Sequence, residues 1–280
     1  MTAGTEPFDT SFPDFPSTLY PVGEPGGGVV MRNVMGIRDR ALLQQVEYVV
    51  ADRVRDSIQS GAIPIERTFD LEHARQLHKA LFSDLYPNWA GEVRPFGMNK
   101  GGGQPFAQPN QIDHYWRNAT EAIRTADLPA IGREDFVSTL ATVYANINQA
   151  HFGREGNGRT GKLFLEHVAE QSPFELDFHL VDKAVWNEQS ERSRPEPGYL
   201  GVRPAELVAV FDQITLDRAQ PAPVQTLPLS PELQRIIDVN KRNFPTSATE
   251  IGRPTQGSPA EGRGYQAPGQ GHSTGKGYGR

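Results

Sequence analysis

From His151 to Lys162 the chain reads H-F-G-R-E-G-N-G-R-T-G-K, and the apolar residues Leu163, Phe164, Leu165 and Val168 follow directly. A core rarely needs a histidine, a carboxylate, glycines, an asparagine and several cations side by side, so the residue types point to chemistry. Glycines at 156, 158 and 161 permit a tight turn and leave backbone N–H groups open to an anion. That holds most where a helix begins and its first N–H groups lack an internal partner. Arg154, Arg159 and Lys162 add positive charge suited to a polyphosphate. Glu155 is a hard oxygen ligand of the kind that holds Mg²⁺ against substrate phosphates. His151 is the group able to take a proton near neutral pH.

Two common nucleotide-binding patterns overlap the stretch. Gly156-x-x-x-x-Gly161-Lys162 approaches a P-loop, but Leu163 stands where the Mg²⁺-binding Ser or Thr belongs. Gly156-x-Gly158-x-x-Gly161 fits the dinucleotide fingerprint, with Asp177 placed for the ribose. Both require a β-strand immediately before the glycines. Residues 135–151 instead set Phe136, Leu140, Val143, Tyr144 and Ile147 at helical spacing. The context is helix, loop, helix, which argues against both.

The same stretch resembles the motif of the Fic family, H-x-F-x-[D/E]-G-N-G-R-x-x-R, with His151, Glu155, Gly156, Asn157, Gly158 and Arg159 at the family spacing. Two positions depart. Gly153 stands where the family carries a phenylalanine that anchors the loop, with Phe152 beside it, and Lys162 replaces the second arginine, keeping the charge without the bidentate fork. A second stretch adds to the likeness. Residues 81–109 look like the region upstream of the Fic motif, a helix ending in Y-P-N-W-A-G-E-V-R and then a flap, K-G-G-G-Q-P-F-A-Q-P. The resemblance covers about residues 40 to 220.

The remaining composition sets the frame. The chain has 280 residues, enough for one good-sized domain or two small ones. Its apolar content of 37% and mean hydropathy of −0.53 are low, with the shortfall at the two ends. A formal charge of −6 argues against a general binder of nucleic acid or anionic membrane. There is no cysteine, hence no disulfide framework and no thiolate chemistry. With no signal-like start and no apolar run of membrane-spanning length, a cytoplasmic protein is expected, with delivery into another cell left open.

The elements that must position the motif are helical. Residues 1–38 read as irregular, and a first helix runs from Asp39 to the stop signal at Gly61, with Leu42, Val46, Val49, Val50, Val54 and Ile58 as its apolar face. A second spans Asp70 to Asp84, with Asp70 as N-cap. On it, the five-residue spacing of His73 and His78 favours structural or surface histidines over a metal pair. Residues 91–109 form a long loop whose V-R-P-F-G-M segment suits a short strand. Further helices are expected at Gln111–Asp127, Arg133–Ala150, Thr160–Gln171, Asp177–Glu191 and Pro204–Arg218. Residues 221–243 read as a linker and a short helix, Pro231–Arg242, and residues 244–280 as a disordered tail. The expected class is all-α, a Fic-type helical bundle with a short β-hairpin flap and disordered terminal segments, its Fic domain at residues 39–220.

The resemblance implies a protein adenylyltransferase that moves AMP from ATP to a Ser, Thr or Tyr hydroxyl of a target protein. In that scheme His151 is the general base and Glu155 the Mg²⁺ ligand. Gly156, Asn157 and Gly158 hold the α-phosphate, and Arg159 and Lys162 the β- and γ-phosphates. The flap residues Lys100, Gly101, Gly102, Gly103, Pro105 and Phe106 would dock the target by strand addition. Fic enzymes are commonly blocked by a helix bearing [S/T]-x-x-x-E-[G/N]. No segment of this chain fits that pattern, so a separate antitoxin-like inhibitor is a candidate partner, and the chain a candidate toxin. Two alternatives stay open, a Fic-fold nucleotide-binding protein without transfer and a Doc-like phosphotransferase, although Doc-like motifs carry lysine where Gly158 stands.

Overall fold

The computed structural model describes residues 18–99 and 105–218. The expected helix at 231–242, the tail at 244–280, the first residues of the N-terminal segment and the flap positions Lys100 to Gly103 lie outside the described residues.

Seven α-helices are described: α1 (Arg40–Gln59), α2 (Leu71–Phe82), α3 (Ile112–Thr125), α4 (Arg133–Ala150), α5 (Asn157–Ala169), α6 (Lys183–Arg192) and α7 (Ala205–Ile214). Caps set several of their starts. The Asp39 carboxylate accepts from the Leu42 N–H at 2.8 Å, and Asp70 accepts from the His73 N–H at 3.1 Å, each satisfying an orphan donor of a first turn. Helix α4 is the central rod. Phe136, Leu140, Val143 and Ala145 are among its buried side chains, and it packs on α3, α5 and α7, while α2 packs on α1 and α5.

Four expectations change. The inward face of α1 is turned relative to the sequence reading: Leu42 is 49% and Val49 70% exposed, while Leu43, Glu47, Ala51, Val54 and Ile58 are buried. The reason is Glu47, which faces inward because Arg159 and Tyr86 await it there. The stretch Asp177–Glu191 is not one helix. Asp177 caps a 3-10 turn, Phe178–Leu180, and Asp182 caps α6 afresh at Lys183. The helix expected at Pro204–Arg218 stops at Ile214, and Thr215–Asp217 becomes a strand, β2, pairing antiparallel with β1 (Phe174–Leu176). Finally, the V-R-P-F-G-M segment of the flap is not a strand, and the two strands described lie elsewhere. Arg94 is turned wholly inward, and its guanidinium takes the Phe96 carbonyl that a neighbouring strand would otherwise pair.

The N-terminal segment is irregular and docked. Leu19 bridges Met31, and the Val34 N–H donates to the Leu85 carbonyl at 3.1 Å.

The histidines of α2 are both in the core. His73 Nε2 lies 2.9 Å from Nδ1 of His167, and both imidazoles are wholly buried. Burial depresses His73, His78 and His167 alike from the ordinary 6.5 to about 4. All three are therefore neutral at pH 7. The unfolded chain takes up protons first, so this stability is complete above about pH 6.5 and is lost as pH falls toward about 4. The shift at His78 alone corresponds to about 3 kcal/mol. Urea midpoints should drop steeply between pH 7 and pH 5, and a flat profile would contradict neutral burial.

Candidate functional site

The motif begins where α4 ends. His151 is the C-cap of α4 in the left-handed region, φ 41° and ψ 56°, and its N–H still reaches the Ile147 carbonyl at 3.1 Å. A left-handed β-carbon-bearing residue is uncommon, and surrounding structure must hold it. Arg94 does so. Its guanidinium is wholly buried, with Nε donating to the His151 carbonyl at 2.7 Å and Nη2 to the Ala107 and Ala150 carbonyls at 2.5 and 3.2 Å. Nη1 donates to the Phe96 carbonyl at 2.5 Å, and the Arg94 N–H donates to the Phe152 carbonyl at 2.9 Å. One side chain thus joins both ends of the flap to the residues flanking the candidate base. Burial lowers its pKa from 12.5 to about 10, which leaves it charged at neutral pH.

The His151 ring lies flat against Phe106, with centroids 3.7 Å apart and planes 14° apart, and Arg194 stacks 4.1 Å from the centre of the Phe106 ring. With one face covered and Nδ1 buried, Nε2 is the nitrogen through which the base can act.

The glycines then turn the chain into α5. Gly156 is the N-cap, φ 78°, and a β-carbon there would come within 2.3 Å of the Phe82 ring. Only glycine meets both conditions. Helix α5 starts at Asn157, earlier than the expected Thr160, so the motif's own N–H groups are the first turn of a helix, the arrangement that favours an anion. Gly158 borders open space, where a β-carbon would meet nothing within 4 Å.

The polar side chains divide. Asn157 does not reach outward: its amide oxygen accepts from the Gly153 N–H and its amide nitrogen donates to the Gly153 carbonyl, each at 2.8 Å, so it folds the loop. Arg154 is largely buried, its Nε donating to Thr18 Oγ1 at 2.8 Å, and it too lines the cavity described below. Arg159 faces the site but is paired, Nη2 to Glu47 at 2.9 Å, and the Tyr86 hydroxyl donates to the same carboxylate. Lys162 sets its ammonium 4.7 Å from the Phe178 ring centre and 4.9 Å from that of Trp186. Burial lowers its pKa.

Glu155 is exposed, and among the described residues no ion pair engages it; one oxygen accepts from the Gly156 N–H at 3.1 Å. A carboxylate so placed beside a helix N-terminus fits a single protein ligand of Mg²⁺, an ion that completes its shell with phosphate oxygens and water.

These groups line one cavity of about 1250 Å³, which His151, Glu155, Gly156, Gly158, Arg159 and Lys162 share. Phe106 lines it as well, while Pro105 lies exposed on the adjoining flap. Sequence reasoning missed Glu47, His78, Arg94 and Arg194. The signal for Arg94 was present, at the end of the Y-P-N-W-A-G-E-V-R stretch.

The sequence profile of the Fic/DOC family matches residues 68–169, which hold α2, the flap and the whole motif. The probable protein adenylyltransferase y4lH of Sinorhizobium fredii is 32% identical over 154 residues, 54% of this chain and 76% of that protein. The chain belongs to the Fic/DOC family. Protein adenylyltransferase VbhT of Bartonella schoenbuchensis is 34% identical over 58% of this chain, which spans only 33% of that protein's length. Among solved structures, the BepC protein of Bartonella tribocorum with bound AMPPNP aligns at a TM-score of 0.59 and 20% identity, over 68% of this chain and 93% of that one, a likeness of fold. Among the described residues of this Fic/DOC protein, no helix is long and apolar enough to cross a membrane.

Arg94→Lys tests the hub of the Fic/DOC site. A point ammonium cannot serve the same four carbonyls, so the variant should lose about 3 kcal/mol in urea unfolding. A loss below about 0.5 kcal/mol, the range of an ordinary surface change, would remove Arg94 from that role.

Proposed function

We propose that this chain is a protein adenylyltransferase that moves AMP from ATP to a Ser, Thr or Tyr hydroxyl of a target protein. The observation that carries the reading is the single cavity onto which His151, Glu155 and the N-terminus of α5 all open. The relatives named protein adenylyltransferase, and the neighbour solved with AMPPNP, favour the same chemistry.

In this reading His151 Nε2 takes the proton of the target hydroxyl. The hydroxyl oxygen forms a bond to the α-phosphorus of ATP, the bond from that phosphorus to the bridging oxygen breaks, and pyrophosphate leaves. The N–H groups of Asn157 and Gly158 face the charge that grows on the α-phosphate oxygens. Arg159 serves the β-phosphate from within its pair with Glu47, and Lys162 reaches the γ-phosphate only by leaving the faces of Phe178 and Trp186. Glu155 would hold Mg²⁺, which would supply neutralisation of the phosphate charge. The flap, Lys100 to Gly103 with Pro105 and Phe106, receives the target segment beside the His151 ring. ATP as donor places the reaction in a cytoplasm, that of the producing cell or of a cell the protein is delivered to.

Inhibition by a separate antitoxin-like partner belongs to the same proposal, which makes the chain the toxin of such a pair. The acidic residue that this chain itself brings to the motif, Glu47, pairs with Arg159 and leaves Lys162 to its aromatic neighbours.

The test is incubation with Mg²⁺ and ATP labelled at the α- or the γ-phosphate in a cell lysate, beside His151→Ala. Transfer of α-label to protein is expected, falling about 10²- to 10⁴-fold in the variant. Transfer of γ-label alone would replace the reading with a phosphotransferase, and nucleotide binding without any transfer would replace it with a binding protein.

A further inference from the structure

His78 touches the motif from below. It sits on α2, wholly buried, and makes two hydrogen bonds to backbone far from it in sequence. Nδ1 accepts from the Gly91 N–H at 2.8 Å, at the root of the flap. Nε2 lies 2.8 Å from the Glu155 carbonyl oxygen. A carbonyl only accepts, so the hydrogen resides on Nε2, and the two partners together select one neutral tautomer.

The imidazole also accounts for a departure in the motif. A β-carbon on Gly153 would fall 2.8 Å from His78 Nε2 and 3.2 Å from Cδ2. Contacts that short force something to move, and what would move is the ring that holds Glu155. The apolar anchor is displaced by one position: the Phe152 ring packs edge-on against His78, 5.3 Å between centroids, and against Trp116 at 6.0 Å. Phe82, the ring beneath Gly156, packs against the same imidazole at 4.8 Å. His78 is thus the polar member of an aromatic floor, and its two nitrogens address the flap root and the peptide of the candidate metal ligand.

We propose that His78 is a positioning residue for the phosphate-binding loop: it fixes the Glu155 peptide, and so the direction of the Glu155 carboxylate and the Gly156 N–H, and ties both to the root of the flap, with Gly153 admitting its ring. The proposal rests on the nucleotide reading given above. Residues outside the coordination shell that orient a metal ligand typically alter metal affinity by about 10- to 100-fold.

The experiment uses the full chain and AMPPNP as probe. His78→Phe keeps an aromatic ring but offers neither nitrogen. It should raise the Kd for Mg²⁺·AMPPNP, read by titration calorimetry, on the order of tenfold, while changing binding of AMPPNP in EDTA far less. Hydrogen exchange at the Gly91 amide should speed up in the nucleotide-free variant. Gly153→Ala, which keeps both ring nitrogens but crowds the imidazole off the Glu155 carbonyl, should move the Kd in the same direction, and the double variant should lose less than the product of the two single effects. A folded His78→Phe protein with wild-type affinity for Mg²⁺·AMPPNP overturns the proposal, whatever its thermal stability. If His78→Phe does not fold, Gly153→Ala decides by the same criterion. Wild-type protein that binds Mg²⁺·AMPPNP but transfers no label overturns the transferase reading alone, since the binding comparison still decides on His78. Wild-type protein that binds no nucleotide overturns both.

Discussion

A buried guanidinium without a buried carboxylate beside it is costly, and Arg94 is tolerated because backbone carbonyls of Phe96, Ala107, Ala150 and His151 accept its hydrogens. The end of α4, the two ends of the flap and the left-handed residue that carries the candidate base all meet at this one planar group. Its fork geometry matters as much as its charge, because the acceptors are spread around a plane. Strain at His151 persists only while its carbonyl and its ring are both held, the first by Arg94 and the second by Phe106.

The far side of the loop is built on a different principle. There the constraint is steric: Phe82 leaves no room for a side chain on Gly156, so the chain turns tightly and α5 begins at the cavity, which Gly156, Asn157 and Gly158 line. Asn157 closes the loop on Gly153, and His78 closes it on Gly91. The candidate anion site at the start of α5 is therefore backbone, held by Asn157 and His78, whose polar atoms are taken up by backbone partners. Backbone donors cost no side-chain entropy to organise, which suits a site that must be ready before a charged ligand arrives.

Three cations of the cavity are already engaged. Arg159 pairs with Glu47, Lys162 faces two aromatic rings, and Arg194 stacks on Phe106 while its Nε reaches Gln149 at 3.3 Å. A polyphosphate entering such a site competes with existing partners instead of meeting bare charge. Glu47, held between Arg159 and the Tyr86 hydroxyl, also explains why α1 turns a carboxylate inward and leaves Val49 in water.

Local features followed from the sequence alone: seven helical segments where apolar residues recur at helical spacing, the aspartate cap at 70, and a glycine turn feeding a helix at 156–158, because these depend on residues within a few positions of one another. It also carried the family pattern from His151 to Arg159. The directions of the polar side chains were decided only by tertiary structure. Arg154 reaches Thr18, Arg159 reaches Glu47, and His78 reaches Glu155, pairs separated by 136, 112 and 77 positions. The strand at Thr215–Asp217 likewise exists because β1 lies beside it. A buried polar group goes where its hydrogen-bond partner is, and no spacing rule along the chain reveals a partner that folding alone brings near.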